Sequence, residues 1–146
     1  MSNESAQNTV FGLGTFGDVT VTPDGERLAP AQVIRNLVDE ARLADQVGVD
    51  AFILGEHHRD DFAVSSPETV LAGIATVTER ILLASGVTVL SSDDPVRVFQ
   101  RFSTLDALSN GRAAVQLGRG SFTESFPLSR YRLADSATLL AAQPEL

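Results

Sequence analysis

The sequence predicts an α/β fold in which parallel strands alternate with helices, and three observations carry that reading. Short apolar runs begin at positions 51, 81 and 113, a spacing near ~30 residues, the length of one strand–helix unit. Stretches with apolar residues at helical intervals precede each run, opened by Pro30, Pro67 and Pro95, and proline suits the first turn of a helix. Each apolar run stops at a cluster of glycine, hydroxyl or charged residues. Successive units with right-handed crossovers leave two architectures open, a doubly wound sheet or a barrel.

In chain order, residues 1–8 read as a disordered tail. Thr9 to Gly17 is apolar and punctuated by glycine, which predicts a first buried strand. Residues 17–29 contain the turn signal Pro23-Asp24-Gly25 and read as a loop over the end of that strand. Ile34, Leu37, Ala41 and Ala44 then recur at helical spacing, and Gly48 is placed to close the helix. Ala51 to Gly55 is the second strand. Ser65-Ser66-Pro67-Glu68 has the form of a capping box opening a helix whose apolar face is Val70, Leu71, Ile74 and Val77. Ile81 to Leu90 is a third strand broken by Ser85-Gly86, and a glycine inside a strand marks a bulge or a close approach. Asp93-Asp94-Pro95 opens a third helix with Val98, Phe102 and Leu105 inward, Asn110-Gly111 ends it, and Ala113 to Leu117 forms a fourth strand.

Composition narrows the functional classes. The 146 residues suffice for one domain, and at 43% hydrophobic they can bury a sizeable core. A net charge of −8 argues against binding nucleic acid, which needs a basic face. With no apolar run of membrane-spanning length, no signal-peptide pattern and no cysteine, the expectation is a cytoplasmic protein with no membrane partner and no thiolate chemistry.

Chemistry concentrates at the strand ends. The second strand runs into Glu56-His57-His58, which holds both histidines of the chain. Histidine titrates nearest neutrality and serves as general acid or base. Adjacent residues of an extended segment point to opposite sides, so the two histidines are poorly placed to share a metal ion. The other ends offer Gly14-Thr15-Phe16, Thr88 to Ser92, and Gly118-Arg119-Gly120-Ser121. Glycines there let backbone amides approach an anion or a flat ring, and Arg119 is suited to clamp a phosphate. Gly12-x-Gly14-x-x-Gly17 matches a dinucleotide fingerprint in letters only, because it lies within the strand and the helix opens far downstream at Pro30.

These residues resemble the bacterial-luciferase-like, flavin-dependent monooxygenases. The resemblance runs from Val10 to Leu128 and rests on Gly55-Glu56-His57-His58, Ser85-Gly86-Val87-Thr88-Val89-Leu90, Asp94-Pro95-Val96-Arg97 and Leu105-Asp106-Ala107-Leu108-Ser109-Asn110-Gly111-Arg112. It implies a TIM-barrel-type (β/α)8 fold, of which residues 9–128 supply the N-terminal half, about four units. A complete barrel takes ~250 residues, and residues 129–146 diverge from the family pattern, so a truncated product is expected. By the same resemblance, His57 is the catalytic acid/base, Gly86, Val87 and Thr88 back the flavin ring at a bulge with a non-proline cis peptide, and Gly118, Arg119, Gly120 and Ser121 contact the flavin phosphate or ribityl chain. The implied cofactor is FMN, in reduced form, or a deazaflavin. Implied partners are oxygen, a small organic substrate, a second copy of the chain and a flavin reductase. No metal is expected. Two other readings stand beside oxygenation: a flavin-holding protein without turnover, and a metal hydrolase built on Glu56, His57 and His58.

Overall fold

Each strand pairs with its successor in the chain, and this order separates the two architectures left open by the sequence. In the computed structural model, which describes residues 9–120, the strands are β1 (Gly12–Thr15), β2 (Ala51–Leu54), β3 (Leu82–Val89) and β4 (Ala113–Gly118). They form one parallel sheet in the order β1-β2-β3-β4. A doubly wound sheet reverses its order at a switch point; this sheet never does. It is part of a barrel wall.

The connecting helices are α1 (Pro30–Val47), α2 (Pro67–Ala75) and α3 (Pro95–Ser109), with a short 3-10 turn at Leu90–Ser92. They cover one face of the sheet. Phe52, Leu54 and Leu83 from the strands pack with Leu37 and Ala41 of α1, Leu71 and Ile74 of α2, and Phe102 and Leu105 of α3. The opposite face, which a closed barrel turns inward, is more open: Leu82 is 40% exposed. No helix among the described residues is long and apolar enough to cross a membrane.

Helix boundaries follow local chemistry, with one correction. Gly48 closes α1 with φ 87°, and Asn110 closes α3 with φ 57°, the left-handed conformation that glycine and asparagine tolerate. Asp94 caps α3 by accepting from the Arg97 amide at 3.0 Å. The capping box expected at α2 does not form. Ser66 occupies the cap position without a side-chain bond, and the Glu68 carboxylate instead meets Arg101 of α3 at 2.8 Å. A tertiary ion pair has taken the group that the local pattern assigned to the helix end.

The end of the sheet where the strands begin is tied by two polar residues. Asp45, buried within α1, accepts hydrogen bonds from the amides of Glu79, Arg80 and Ile81 at 2.9, 3.0 and 2.7 Å. Burial by itself works against charge on Asp45. The three amide bonds and the neighbouring Arg80 charge outweigh it, and they hold the carboxyl below its ordinary value of 3.8. Arg112, just before β4, donates to the carbonyls of Ala75, Thr78, Ile81 and Ser109 and to the Thr78 hydroxyl.

Candidate active site at the C-terminal ends of the strands

The β2–β3 ladder ends at Leu54 opposite Ser85, and the chemistry begins where it stops. Gly55 is still held by the Thr15 carbonyl at 2.9 Å. Glycine fits this position without displacing a neighbour: a Cβ there would stand 2.3 Å from Phe16 Cδ1 and 3.3 Å from the Gly86 carbonyl oxygen. This close packing brings the ends of β1, β2 and β3 together.

Beyond Gly55 the side chains alternate. Glu56 and His58 lie on one side, with Glu56 Oε1 and His58 Nε2 2.9 Å apart. His57 turns to the other side, between two aromatic rings. Its imidazole stacks on Phe62 at 4.2 Å and 20° and meets Phe16 edge-on at 5.1 Å and 82°. Its amide donates to the Val64 carbonyl at 3.0 Å, which anchors the loop after β2. Sequence reasoning singled out His57 but missed Phe62, whose only signal is an aromatic residue in a polar loop.

β3 slips in register against β4 between Gly86 and Thr88, and the Gly86–Val87 peptide is cis. Gly86 cannot carry a side chain, since its Cβ would lie 2.4 Å from Ile53 Cγ2. Backbone is therefore the only surface it presents. The slip also changes which residues face the helices. Thr88 joins Ser85 in the interior, 2% exposed, and its hydroxyl donates to Ser85 Oγ at 2.9 Å. Thr88 was read from sequence as a cofactor contact; with its hydroxyl bonded inside, only its backbone remains for that role.

At the end of β4, Gly118 and Gly120 make room for the side chains of Val87 and Val89, which would lie 2.6 and 2.8 Å from added Cβ atoms. Arg119 between them has its carbonyl held by the Ser91 hydroxyl at 2.6 Å. Its side chain is exposed and makes no ion pair with another described residue. Ser121 lies outside the described residues. Among those described, no group of three or more His, Cys, Asp or Glu side chains is placed to hold a metal.

Comparison with known proteins places this arrangement in a lineage. Residues 13–140 match the luciferase-like monooxygenase family. The N-acetyl-S-alkylcysteine monooxygenase of Bacillus subtilis is 36% identical over 106 residues, covering 72% of this chain and 31% of the relative. The alkanal monooxygenase alpha chain of Photorhabdus luminescens is 27% identical over 112 residues, covering 76% of this chain and 31% of the relative. The oxygenating constituent of 3,6-diketocamphane monooxygenase from Pseudomonas putida, solved in complex with FMN, superposes with a TM-score of 0.76 at 20% identity, covering 90% of this chain and 36% of that one. The chain thus spans about a third of the length of the relatives it matches. Sequential parallel strands, a histidine at the second strand end and a match over most of the sequence lead to one conclusion: the chain belongs to the luciferase-like monooxygenase family.

Proposed function

We propose that this chain carries part of the active site of a flavin-dependent monooxygenase, with His57 as its acid/base. The observation that supports this most is the setting of His57 at the end of β2, stacked on Phe62 and edge-on to Phe16.

The described residues suit a flat, anionic cofactor on two counts. Gly86 is partly exposed at the slip in β3, so a planar ring can lie against its backbone on the side that Ile53 does not fill. Arg119, flanked by Gly118 and Gly120, offers a guanidinium for a phosphate, in the charge-assisted geometry that arginine favours. FMN is the proposed cofactor and a deazaflavin the second candidate. When bound, the reduced flavin supplies the electrons that split dioxygen, one oxygen atom going to the organic substrate and the other to water. The protein's own contribution is different. Phe16 and Phe62 hold the His57 imidazole between them, and the imidazole gives or takes the proton. Small thioethers and aldehydes are the proposed substrate classes, on the strength of what the relatives' names state. A separate reductase supplying reduced flavin, and a second copy of the chain as partner, belong to the same proposal.

The test is anaerobic titration of the 146-residue chain with reduced FMN, followed by oxygen and an S-alkyl thioether or alkyl aldehyde. Oxygenated product formed in proportion to protein supports the proposal. Flavin binding with only hydrogen peroxide released would favour a flavin-holding protein without turnover. No flavin binding would remove both readings for this chain.

A further inference from the structure

Glu56 spends its two carboxylate oxygens in different directions. Oε1 takes His58 Nε2 at 2.9 Å, and Oε2 accepts from the Val89 amide at 3.1 Å. The second bond solves a problem created by the slip in β3. Once the β2–β3 ladder has stopped at Leu54 and Ser85, β2 turns into its loop and the His57 amide bonds to Val64. No backbone carbonyl of β2 then reaches the Val89 amide. A buried amide without a partner costs about 1–3 kcal/mol, and the Glu56 side chain reaches across to fill the gap. The carboxylate is only 9% exposed, and His58 is 22% exposed.

The first bond fixes direction. Residues 56 and 58 of an extended segment share a side, and residue 57 takes the other. With Glu56 and His58 locked together, the His57 ring is sent toward Phe16 and Phe62. We infer that Glu56 is a positioning residue: it sets the direction of His57 through His58 and, by the same carboxylate, ties the loop after β2 to the Gly86–Val89 segment of β3. A shorter Asp would not span both contacts. A Gln would keep one acceptor and replace the other with a donor.

That difference makes the inference testable without cofactor or turnover. An ionised carboxylate only accepts, so His58 must carry its proton on Nε2. In Glu56→Gln the amide oxygen stays on the Val89 amide and the NH2 group faces His58, which must then become the acceptor and move its proton to Nδ1. Nitrogen and carbon NMR of the histidine rings in the full chain reads this change directly. The expected result is an Nε2–H tautomer for His58 in the parent and an Nδ1–H tautomer in Glu56→Gln, with Val89 amide exchange little changed. Glu56→Ala is expected to raise Val89 exchange by about tenfold or more and to shift the His57 ring signals as its contacts with Phe16 and Phe62 loosen. If Glu56→Ala fails to fold, Glu56→Gln decides alone, and an unchanged His58 tautomer overturns the inference. So does a folded Glu56→Ala whose Val89 exchange and His57 signals match the parent. The functional weight of this clamp rests on His57 being the reacting group, but these measurements read geometry only, so either can fail without the other.

Discussion

The ring of Phe16 occupies the space that a side chain on Gly55 would need, its Cδ1 atom 2.3 Å from the position of the missing Cβ. Gly55→Ala is therefore expected to push Phe16 away from the His57 imidazole. Phe16 is 49% exposed, so the ring can swing outward, and the cost should be that of its edge-on contacts with His57 and Phe62, ~1–3 kcal/mol. The His57 ring signals should move with it. Denaturant unfolding and NMR of the variant check both expectations.

Gly73 gives the opposite case. It lies exposed in α2, and an added Cβ there meets nothing within 4 Å. Gly73→Ala should stabilise the chain by ~0.5–1 kcal/mol, because it lowers the entropy lost on forming the helix and displaces nothing. A lower melting temperature for this variant would contradict the packing described for α2.

The two histidines should separate in activity. His57→Ala is expected to lower product formation in the reduced-FMN assay by ~100-fold or more, the scale of a positioned acid/base. His58→Ala acts only through the direction of its neighbour and should cost far less. Equal, small losses at both positions would remove His57 from its proposed role.

Asp45 makes the stability of the chain pH-dependent in a known direction. Its carboxyl is held below 3.8 in the folded protein. The stability it contributes is present above the unfolded value and is lost as the pH falls through the folded value. Thermal melts at about pH 7 and about pH 3 should therefore show a larger drop for the parent than for Asp45→Asn. At neutral pH the variant should be the less stable of the two, because its NH2 group cannot accept from the amides of residues 79–81.

Arg119 provides the check on cofactor binding. Its side chain stabilises nothing else among the described residues, so Arg119→Ala should leave the melting temperature unchanged. Its affinity for FMN should fall by about tenfold or more, the value of a charge-assisted contact to phosphate. Fluorescence titration of FMN measures it, and equal affinities would exclude Arg119 from the phosphate site.

What the sequence made legible was whatever depends on neighbours in the chain. The α1 stripe of Leu37, Ala41 and Ala44, the Gly48 terminus and the Asp94 cap all follow from local spacing. Groups whose partners are distant were hidden. Glu68 sits where a capping box needs it but forms an ion pair with Arg101, and Asp45 is an acid on an apolar stripe whose three amides lie more than thirty residues away. The inward turn of the Thr88 hydroxyl was hidden because the slip after Gly86 breaks the alternation of faces on which a strand is read. The aromatic rings and the histidine pair were visible as residues, but their stacking was not, since it depends on how the loop after β2 folds back.

Asp45 and Arg112 also set how freely this scaffold can vary. Their hydrogen bonds gather the segments that lead into β3 and β4, at the end of the sheet away from His57. The anchorage of the strands and the chemistry of their far ends are thus separate properties, written in different residues. A substitution in the loop around Phe62, or at the tip of β4, alters what the chain can hold without touching what holds the chain. Such a scaffold can change its rim while its floor stays as it is.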